Sequence, residues 1–180
     1  RPARGQEGRD PMFDLGRPVV LAAGLAVLAA CARSAPPAAD AAAEKAAVEA
    51  VSLAWKNAYN AGDVAALGAL YAEDAVLSAP GERAVHGSAA ISEYFVEKVA
   101  EFGAAELTVE DEPMADVLAS CDLAWQWKTY KVIDKAGAVV DAGKLVTLFR
   151  RQDGKWLIAG DTWNSDATPG APTGPAAAFP

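Results

Sequence analysis

Histidine and cysteine are scarce in this chain. Its 180 residues include one histidine, His86, and two cysteines, Cys31 and Cys121. A structural zinc site takes about four nitrogen, sulfur or oxygen ligands, which this set is poorly suited to supply. The sequence also lacks a Gly-rich phosphate loop and a Gly-x-Ser-x-Gly elbow. These absences count against nucleotide, metal and serine-hydrolase chemistry, and we expect no cofactor and no metal.

Positive charge and long apolar runs are also limited. Sixteen Lys and Arg residues stand against 24 Asp and Glu residues, which gives a net charge of −8. No basic stripe interrupts this acidic composition, so we expect no nucleic-acid partner. The longest apolar run near the start, residues 19–30, is shorter than the roughly 20 residues that a membrane-spanning helix needs.

That run has the features of a signal peptide. Met12 is a candidate start, Arg17 precedes the run, and small residues follow it. The sequence LAAC at residues 28–31 resembles the lipobox of bacterial lipoproteins. The resemblance implies cleavage before Cys31 and attachment of a lipid to its thiol. The alternatives are an ordinary secretory peptide with a chance cysteine and an uncleaved anchor.

The composition predicts four segments along the chain. They are a leader at 1–30 (signal peptide at about 12–30), an Ala/Pro tether at 31–40, one domain at 41–166, and a disordered Pro/Gly/Ala tail at 167–180. We expect a protein of the cell envelope, anchored to a membrane by the lipid on Cys31 and facing the periplasm or the exterior. Lipidation of Cys31 would leave Cys121 without a disulfide partner.

The second half of the domain predicts a β-meander. Residues 121–164 alternate in hydropathy as three long antiparallel strands. Asp153-Gly154 is typical of a type I′ hairpin, because both central residues of that turn need positive φ. The alternation places Trp125 and Trp127 on one strand face. We expect them to meet Trp163 on one concave surface.

The first half predicts three helices. The first helix follows Asp40 and ends at Gly62, and the second is a short helix after Asp63. The third helix follows Ser88 as N-cap and closes at Gly103. We expect the second helix to contain Leu67, Leu70 and Tyr71. The buried face of the third helix is expected to carry Ile91, Phe95, Val99 and Phe102.

Two more strands complete the predicted order. Residues 75–78 form a short strand, and residues 107–118 form a longer one that Pro113 suits to a sheet edge or a bulge. The fold class is therefore α+β, with three N-terminal helices packed on one face of a curved antiparallel sheet.

Several motifs in this order resemble a known superfamily. They are WKNAYNAGD at residues 55–63, LYAEDAV at 70–76, HG at 86–87, DGKWLI at 153–158 and DTWNS at 161–165. Together they resemble the SnoaL-like branch of the nuclear transport factor 2-like (NTF2-like, cystatin-like) superfamily, over about residues 43–166. The last two motifs are similar to a bacterial group of unknown function. The resemblance implies a cone-shaped pocket between helices and sheet, and often a homodimer through the open sheet face.

The resemblance extends to ketosteroid isomerases, whose catalytic positions are vacant in this chain. In those enzymes an Asp moves the proton, while a Tyr and a protonated Asp stabilise the oxyanion. Here Ala79 stands at the position of the base and Trp55 at that of the tyrosine. The strand of the second acid, residues 144–148, has no carboxylate. Isomerase chemistry in that arrangement is not expected.

Asp161 and His86 are the candidate catalytic residues. Asp161 shares a predicted strand face with Trp163, and a carboxylate among indoles has a raised pKa that suits acid–base catalysis. The alternative is a solvated Asp161 on the other face. His86 is a candidate general base. The alternative is that His86 is an exposed turn residue without a catalytic role. The candidate ligand-binding residues are Trp55, Tyr59, Tyr71, Tyr94, Trp125, Trp127 and Trp163.

These observations leave three functions open. The first is binding of a small apolar or aromatic ligand in a Trp/Tyr-lined pocket. The second is an isomerase, cyclase or dehydratase that uses a pocket Asp, and the third is a dimeric interaction module of the envelope. An open cavity with a buried carboxylate would favour the enzyme, an open apolar cavity the binder, and a cavity plugged by Trp55, Trp125 and Trp127 the interaction module.

Overall fold

The computed structural model describes residues 38–167. The predicted leader, the lipobox with Cys31, most of the tether and the tail from residue 168 onward lie outside this range. Within it, no helix is long and apolar enough to cross a membrane. The described residues form three helices and six strands. In chain order they are α1 (Ala38–Ala61), α2 (Val64–Gly68), β1 (Tyr71–Ser78), β2 (Val85–His86), α3 (Ser88–Ala104), β3 (Thr108–Ser120), β4 (Leu123–Ile133), β5 (Val139–Gln152) and β6 (Lys155–Ser165).

The six strands form one sheet in the order β2-β1-β6-β5-β4-β3. The α+β class with helices on a mostly antiparallel sheet is confirmed. The sheet is mixed, however, because β1 runs parallel to β6. A parallel pair needs a crossover connection, and here the chain passes through α3 and the meander before β6 returns beside β1. The short strand β2, which the sequence did not predict, pairs with β1 at the edge.

The predicted turns match the backbone. Asp153 and Gly154 have φ values of 50° and 77°, as a type I′ hairpin requires. Gly62, with φ of 69°, ends α1. Strand β3 lies at the sheet edge, and its register with β4 shifts between Asp111 and Ala115, around Pro113. The prediction of an edge or bulge at this proline is confirmed.

Several element boundaries differ from the prediction, and β1 begins at Tyr71 instead of at residue 75. Helix α2 ends at Gly68, and Tyr71 already belongs to β1, where it pairs with Ile158 of β6. The N-cap of α3 is Gly87, and the helix continues through Gly103 to Ala104. The first difference arises because pairing with β6 outweighs the local helical pattern around Leu70.

One hydrophobic core joins the helices to the inner face of the sheet, which is the face that α1 and α3 cover. Its fully buried large side chains are Phe95, Phe149, Leu67, Leu77, Ile91, Ile158 and Val48. The start of α1 is tied to the sheet by Glu44, which accepts hydrogen bonds from Arg151 and from Trp156 Nε1. The Arg151 guanidinium also lies 4.6 Å from the centre of the Trp156 ring. These contacts hold α1 over the sheet, and a cavity remains between the two layers.

Candidate functional site

The cavity has a volume of about 390 Å³. Helices α1 and α3 cover it on one side, and the inner face of β3, β4, β5 and β6 forms the other. A volume near 400 Å³ lies at the lower end of the range for ligand pockets, roughly 300–1,000 Å³. The cavity is therefore large enough for a molecule of one or two fused rings.

Strand register decides which side chains line the sheet side of the cavity. Gln126 of β4, Thr147 of β5 and Asp161 of β6 are directly opposite one another and form one cross-strand row. The next inner row contains Lys128, Leu145 and Trp163. A row of polar side chains and a row that contains both charged and apolar side chains therefore lie side by side on the inner face.

Asp161 is one of the carboxylates that line the cavity. Tyr71 Oη donates a hydrogen bond to Oδ2 at 3.0 Å, and Thr147 Oγ1 donates one to Oδ1 at 3.1 Å. Asp161 faces the cavity and keeps partial exposure there, but protein atoms crowd its carboxylate. Desolvation therefore raises the pKa of Asp161 from 3.8 to about 6, although the two hydroxyls and the charge of Lys128 oppose the rise.

A hydrogen-bond chain supports Asp161 from behind. Trp55 Nε1 donates to Tyr71 Oη at 2.8 Å, and Tyr71 in turn donates to Asp161. Tyr71 is buried, and burial together with the nearby carboxylate raises its pKa well above the usual value. Its hydroxyl thus stays protonated and remains a donor to Asp161.

Aromatic rings form the helical wall of the cavity. Trp55 and Tyr59 stack with ring centroids 4.9 Å apart, and Phe95 meets both rings edge-on. Burial raises the pKa of Tyr59 to about 12, so its hydroxyl is neutral at physiological pH. Tyr94 lies at the more exposed part of this wall, where desolvation also raises its pKa. This wall suits the flat face of an aromatic or apolar ligand.

A second polar group lies around Lys128. Its Nζ donates to Ser52 Oγ at 2.7 Å and lies 2.9 Å from Asp111 Oδ1. Lys56 approaches the other oxygen of Asp111 at 3.6 Å. Ser52, Asp111 and Lys128 all line the cavity.

A third polar group contains a further carboxylate, Asp141. Tyr130 Oη donates to Asp141 Oδ2 at 3.2 Å, and Ser165 Oγ donates to Oδ1. All three residues line the cavity. Burial, followed by the charge of Asp141, raises the pKa of Tyr130. No cluster of three or more potential metal ligands occurs in residues 38–167.

The structure brings five of the predicted site residues to the cavity. They are Asp161, Trp55, Tyr59, Tyr94 and Trp163. The expectation that Asp161 shares a face with Trp163 is confirmed. Tyr71 is placed behind the cavity wall, where its hydroxyl bonds Asp161.

Trp125 and Trp127 do not meet Trp163, and that prediction is wrong. Trp125 is directly opposite Leu148, and Trp163 is directly opposite Leu145, three residues earlier on β5. An odd spacing along a strand places two side chains on opposite faces. The inner positions of β4 are instead the more polar ones, because the cavity and the facing helix α1 offer partners to Lys128.

His86 is also not brought to Asp161. It is exposed on the edge strand β2 and pairs there with Val76. It does not line the cavity. An edge strand beyond β1 is two strands away from β6, so His86 has no route to direct contact with the carboxylate.

Sequence reasoning missed Lys128, Thr147, Asp111 and Asp141. The alternation along β4 contained a signal for Lys128, since it places Gln126, Lys128 and Tyr130 on one face. We had assigned the opposite, more apolar face to the cavity. Asp111 and Asp141 carry no such local signal, because their positions depend on bulges, one between Asp111 and Ala115 in β3 and one between Val139 and Asp141 in β5.

Comparison with solved structures shows the same fold in other proteins. A protein of unknown function with a cystatin-like fold from Nostoc punctiforme has a TM-score of 0.62 at 17% identity, with 71% of this chain and 93% of that one covered. An NTF2-like protein from Novosphingobium aromaticivorans has a TM-score of 0.61 at 20% identity, covering 85% and 90%. A ketosteroid isomerase-like protein from Erwinia carotovora atroseptica has a TM-score of 0.54 at 25% identity, covering 68% and 96%.

Sequence comparison identifies the family. A search of curated proteins gives no significant match. The profile of the SnoaL-like domain matches residues 53–158, which include α2, α3, β1 to β5 and the end of α1 with Trp55 and Tyr59. With this match over more than half of its length, and with the fold it shares with NTF2-like structures, the chain belongs to the SnoaL-like domain family.

Proposed function

We propose that the domain binds a small aromatic or apolar molecule in the cavity and that Asp161 transfers a proton on it, in an isomerase- or dehydratase-type reaction. The observation that carries this proposal is an open cavity that contains a half-buried, desolvated carboxylate whose pKa is about 6. A general acid or base works best when its pKa lies near the operating pH. Asp161 meets that condition without a metal or a second titrating residue.

Asp161 also has room to accept a proton. A carboxylate offers about four lone-pair sites, and the hydroxyls of Tyr71 and Thr147 together with the backbone N–H of Thr162 occupy three of them. The same two hydroxyls fix the plane of the carboxylate. A substrate that stacks on Trp55 and Tyr59 would then present its reacting atom to an oriented base.

The similarity to a ketosteroid isomerase-like protein supports proton transfer as the reaction class. Ala79 and Trp55, the residues at the positions of the isomerase base and tyrosine, both line the cavity. The proton would therefore be moved from β6 by Asp161, and not from the position now held by Ala79.

The proposal can be tested with a carbon acid that fits the cavity. We would incubate the protein with 2-indanone in D₂O and follow deuterium incorporation beside its carbonyl by NMR. We expect exchange faster than in buffer alone, with a pH midpoint near 6, and a loss of roughly 10²-fold or more in Asp161→Asn. Equal exchange by the wild type and Asp161→Asn would refute the role of Asp161.

Ligand binding without catalysis is the second candidate. Its support is the wall of stacked aromatic rings formed by Trp55, Tyr59 and Phe95. Saturable binding of 2-indanone, unchanged in Asp161→Asn and without isotope exchange, would favour this candidate over the enzyme.

We also propose that the outer face of the sheet, the face turned away from α1 and α3, forms a homodimer. Leu118, Trp125 and Leu148 lie directly opposite one another on β3, β4 and β5 and make one apolar row across that face. Their exposed fractions are 62%, 38% and 51%. An exposed apolar row of this kind is typical of an interaction surface.

For the segment outside the described residues, we propose the lipoprotein anchor that LAAC at residues 28–31 suggests. The envelope location follows from that anchor. Mass spectrometry of the protein from a bacterial membrane fraction tests it. We expect a diacylglyceryl group on Cys31, and we expect Cys31→Ser to release the protein from membranes. An unmodified Cys31 in membrane-bound protein would contradict the proposal.

A further inference from the structure

Lys128 is a buried cation. It has no role in the proton transfer that we propose for Asp161. Its side chain is only 5% exposed, yet it lines the cavity. Burying an ammonium group is costly unless its charge is compensated. The partners of Lys128 are therefore informative about what the cavity is built to hold.

The charges around Lys128 do not balance. Lys128 and Lys56 share the single carboxylate of Asp111, at 2.9 and 3.6 Å. Two ammonium groups and one carboxylate leave the cluster of Lys56, Lys128 and Asp111 with one excess positive charge, and of its two cations only Lys128 lines the cavity. The positive charge of Lys128 acts on Asp161 and lowers the pKa of that carboxyl. No direct ion pair between Asp161 and Lys128 occurs among the described residues, so the excess is not neutralised by contact.

The donor geometry of Lys128 leaves a place for a ligand. An ammonium group has three N–H donors. Ser52 and Asp111 take two of them, on the side of α1 and β3. The third donor is available to a molecule in the cavity.

We propose that Lys128 binds the carboxylate of the ligand and that the substrates are small aromatic or apolar carboxylic acids. This inference rests on the proposed function, because it places the ligand in the same cavity. The ring system would stack on Trp55 and Tyr59, and the acid group would pair with Lys128. Because Lys128 makes no ion pair with Asp161, the ligand anion is held apart from the base.

A purely structural role for Lys128 makes a different prediction. Lys128 joins β4 to Ser52 of α1, and this contact alone would stabilise the fold. In that case the protein would not distinguish a carboxylate ligand from a neutral ligand of the same shape. Ligand charge selectivity therefore separates the two roles without relying on a stability measurement.

The test compares 4-ethylbenzoate with 4-ethylbenzamide, which have nearly the same shape, by isothermal titration calorimetry on the full chain. A buried, charge-assisted hydrogen bond contributes about 1.5–3 kcal/mol, so we expect roughly 10- to 100-fold tighter binding of the benzoate. Lys128→Met should reduce this ratio to about one. Asp111→Asn should increase it, because the competing carboxylate of the protein is removed.

Lys56→Met is the matched control. Lys56 contacts the same Asp111 but does not line the cavity, so the benzoate preference should fall far less in this variant than in Lys128→Met. Equal binding of the two probes by the wild type would overturn the inference, whatever the variants do. If 2-indanone exchange still depended on Asp161 in that case, the proposed function would stand. If neither probe bound and no exchange occurred, both proposals would fail.

Discussion

Hydrogen bonds from two hydroxyls favour the ionised form of Asp161. The desolvated environment of the carboxylate disfavours that form. Tyr71 and Thr147 each donate to one carboxylate oxygen, yet the pKa rises to about 6. Desolvation by the cavity wall outweighs both bonds. A group of this kind lowers the stability of the folded state at neutral pH, which is a common property of catalytic residues.

The first prediction concerns pH and stability. The folded protein binds the Asp161 proton more tightly than the unfolded chain, where the pKa is near 3.8. Stability should therefore fall as pH rises from about 4 to above 6. The difference between the two pKa values corresponds to at most roughly 3 kcal/mol. Asp161→Asn should remove this loss and be more stable by about 1–3 kcal/mol at pH 7.5.

Urea unfolding of the two proteins at pH 4.5, 6.0 and 7.5 checks this expectation. The stability advantage of Asp161→Asn should grow with pH across the series. A constant difference would show that Asp161 has the same pKa in the folded and unfolded states.

The second prediction concerns the support of Asp161 by Tyr71. The Tyr71 hydroxyl lowers the pKa of Asp161, so Tyr71→Phe should raise that pKa above its present value of about 6. A ¹³C NMR titration of the Asp161 carboxyl measures the change. Tyr130→Phe is the control, because its hydroxyl bonds Asp141. An unchanged titration in Tyr71→Phe would mean that the hydrogen bond is absent in solution.

At the scale of elements, the pairing of β5 with its neighbours depends on Gly143. A Cβ placed there would lie 2.0 Å from the carbonyl oxygen of Asn164 and 2.8 Å from the Tyr130 ring. Both are fixed, since Asn164 is backbone of β6 and Tyr130 is a buried residue of β4. The inner face at this point has no space for a side chain.

The third prediction follows from this close approach. Gly143→Ala should destabilise the fold by about 1–3 kcal/mol, or more, through overpacking. Gly103→Ala, in the last turns of α3, meets nothing within 4 Å and should stabilise the fold by about 0.5–1 kcal/mol. Thermal unfolding of both variants checks the pair. Equal effects of the two substitutions would contradict the assigned register of β5.

Strand β1 shows how pairing can override local sequence. Leu67, Leu70 and Tyr71 have helical spacing, and the short helix was predicted to include all three. In the structure, the Ile158 N–H donates to the Leu70 carbonyl at 2.8 Å, and Tyr71 begins the strand. Because Tyr71 lies in β1 and not in α2, its hydroxyl reaches Asp161.

At the scale of the whole molecule, the apolar row on the outer face supports self-association. The fourth prediction is that the protein is a dimer and that Trp125→Lys makes it monomeric, because a charge would be buried at the interface. Light scattering after size-exclusion chromatography measures the mass. Leu53→Lys is the control, since Leu53 is an exposed apolar residue of α1. A monomeric wild type would contradict the dimer.

The sequence alone determined the order of the three helices and of every strand except β2, the Asp153-Gly154 turn of the meander, and the shared face of Asp161 and Trp163. These features follow from local rules: helical spacing of apolar residues, the preference of Asp-Gly for positive φ, and the two-residue period of a strand. Such rules operate over a few residues and do not need the rest of the chain.

Only the tertiary structure decided which face of β4 lines the cavity, that β1 runs parallel to β6, and that Lys128, Asp111 and Ser52 meet. Alternation defines two faces of a strand, but it does not say which one is covered by helices. That choice depends on contacts between residues far apart in sequence, such as Lys128 with Ser52, 76 residues away. The polar face of β4 is inside because α1 supplies a partner for its buried cation.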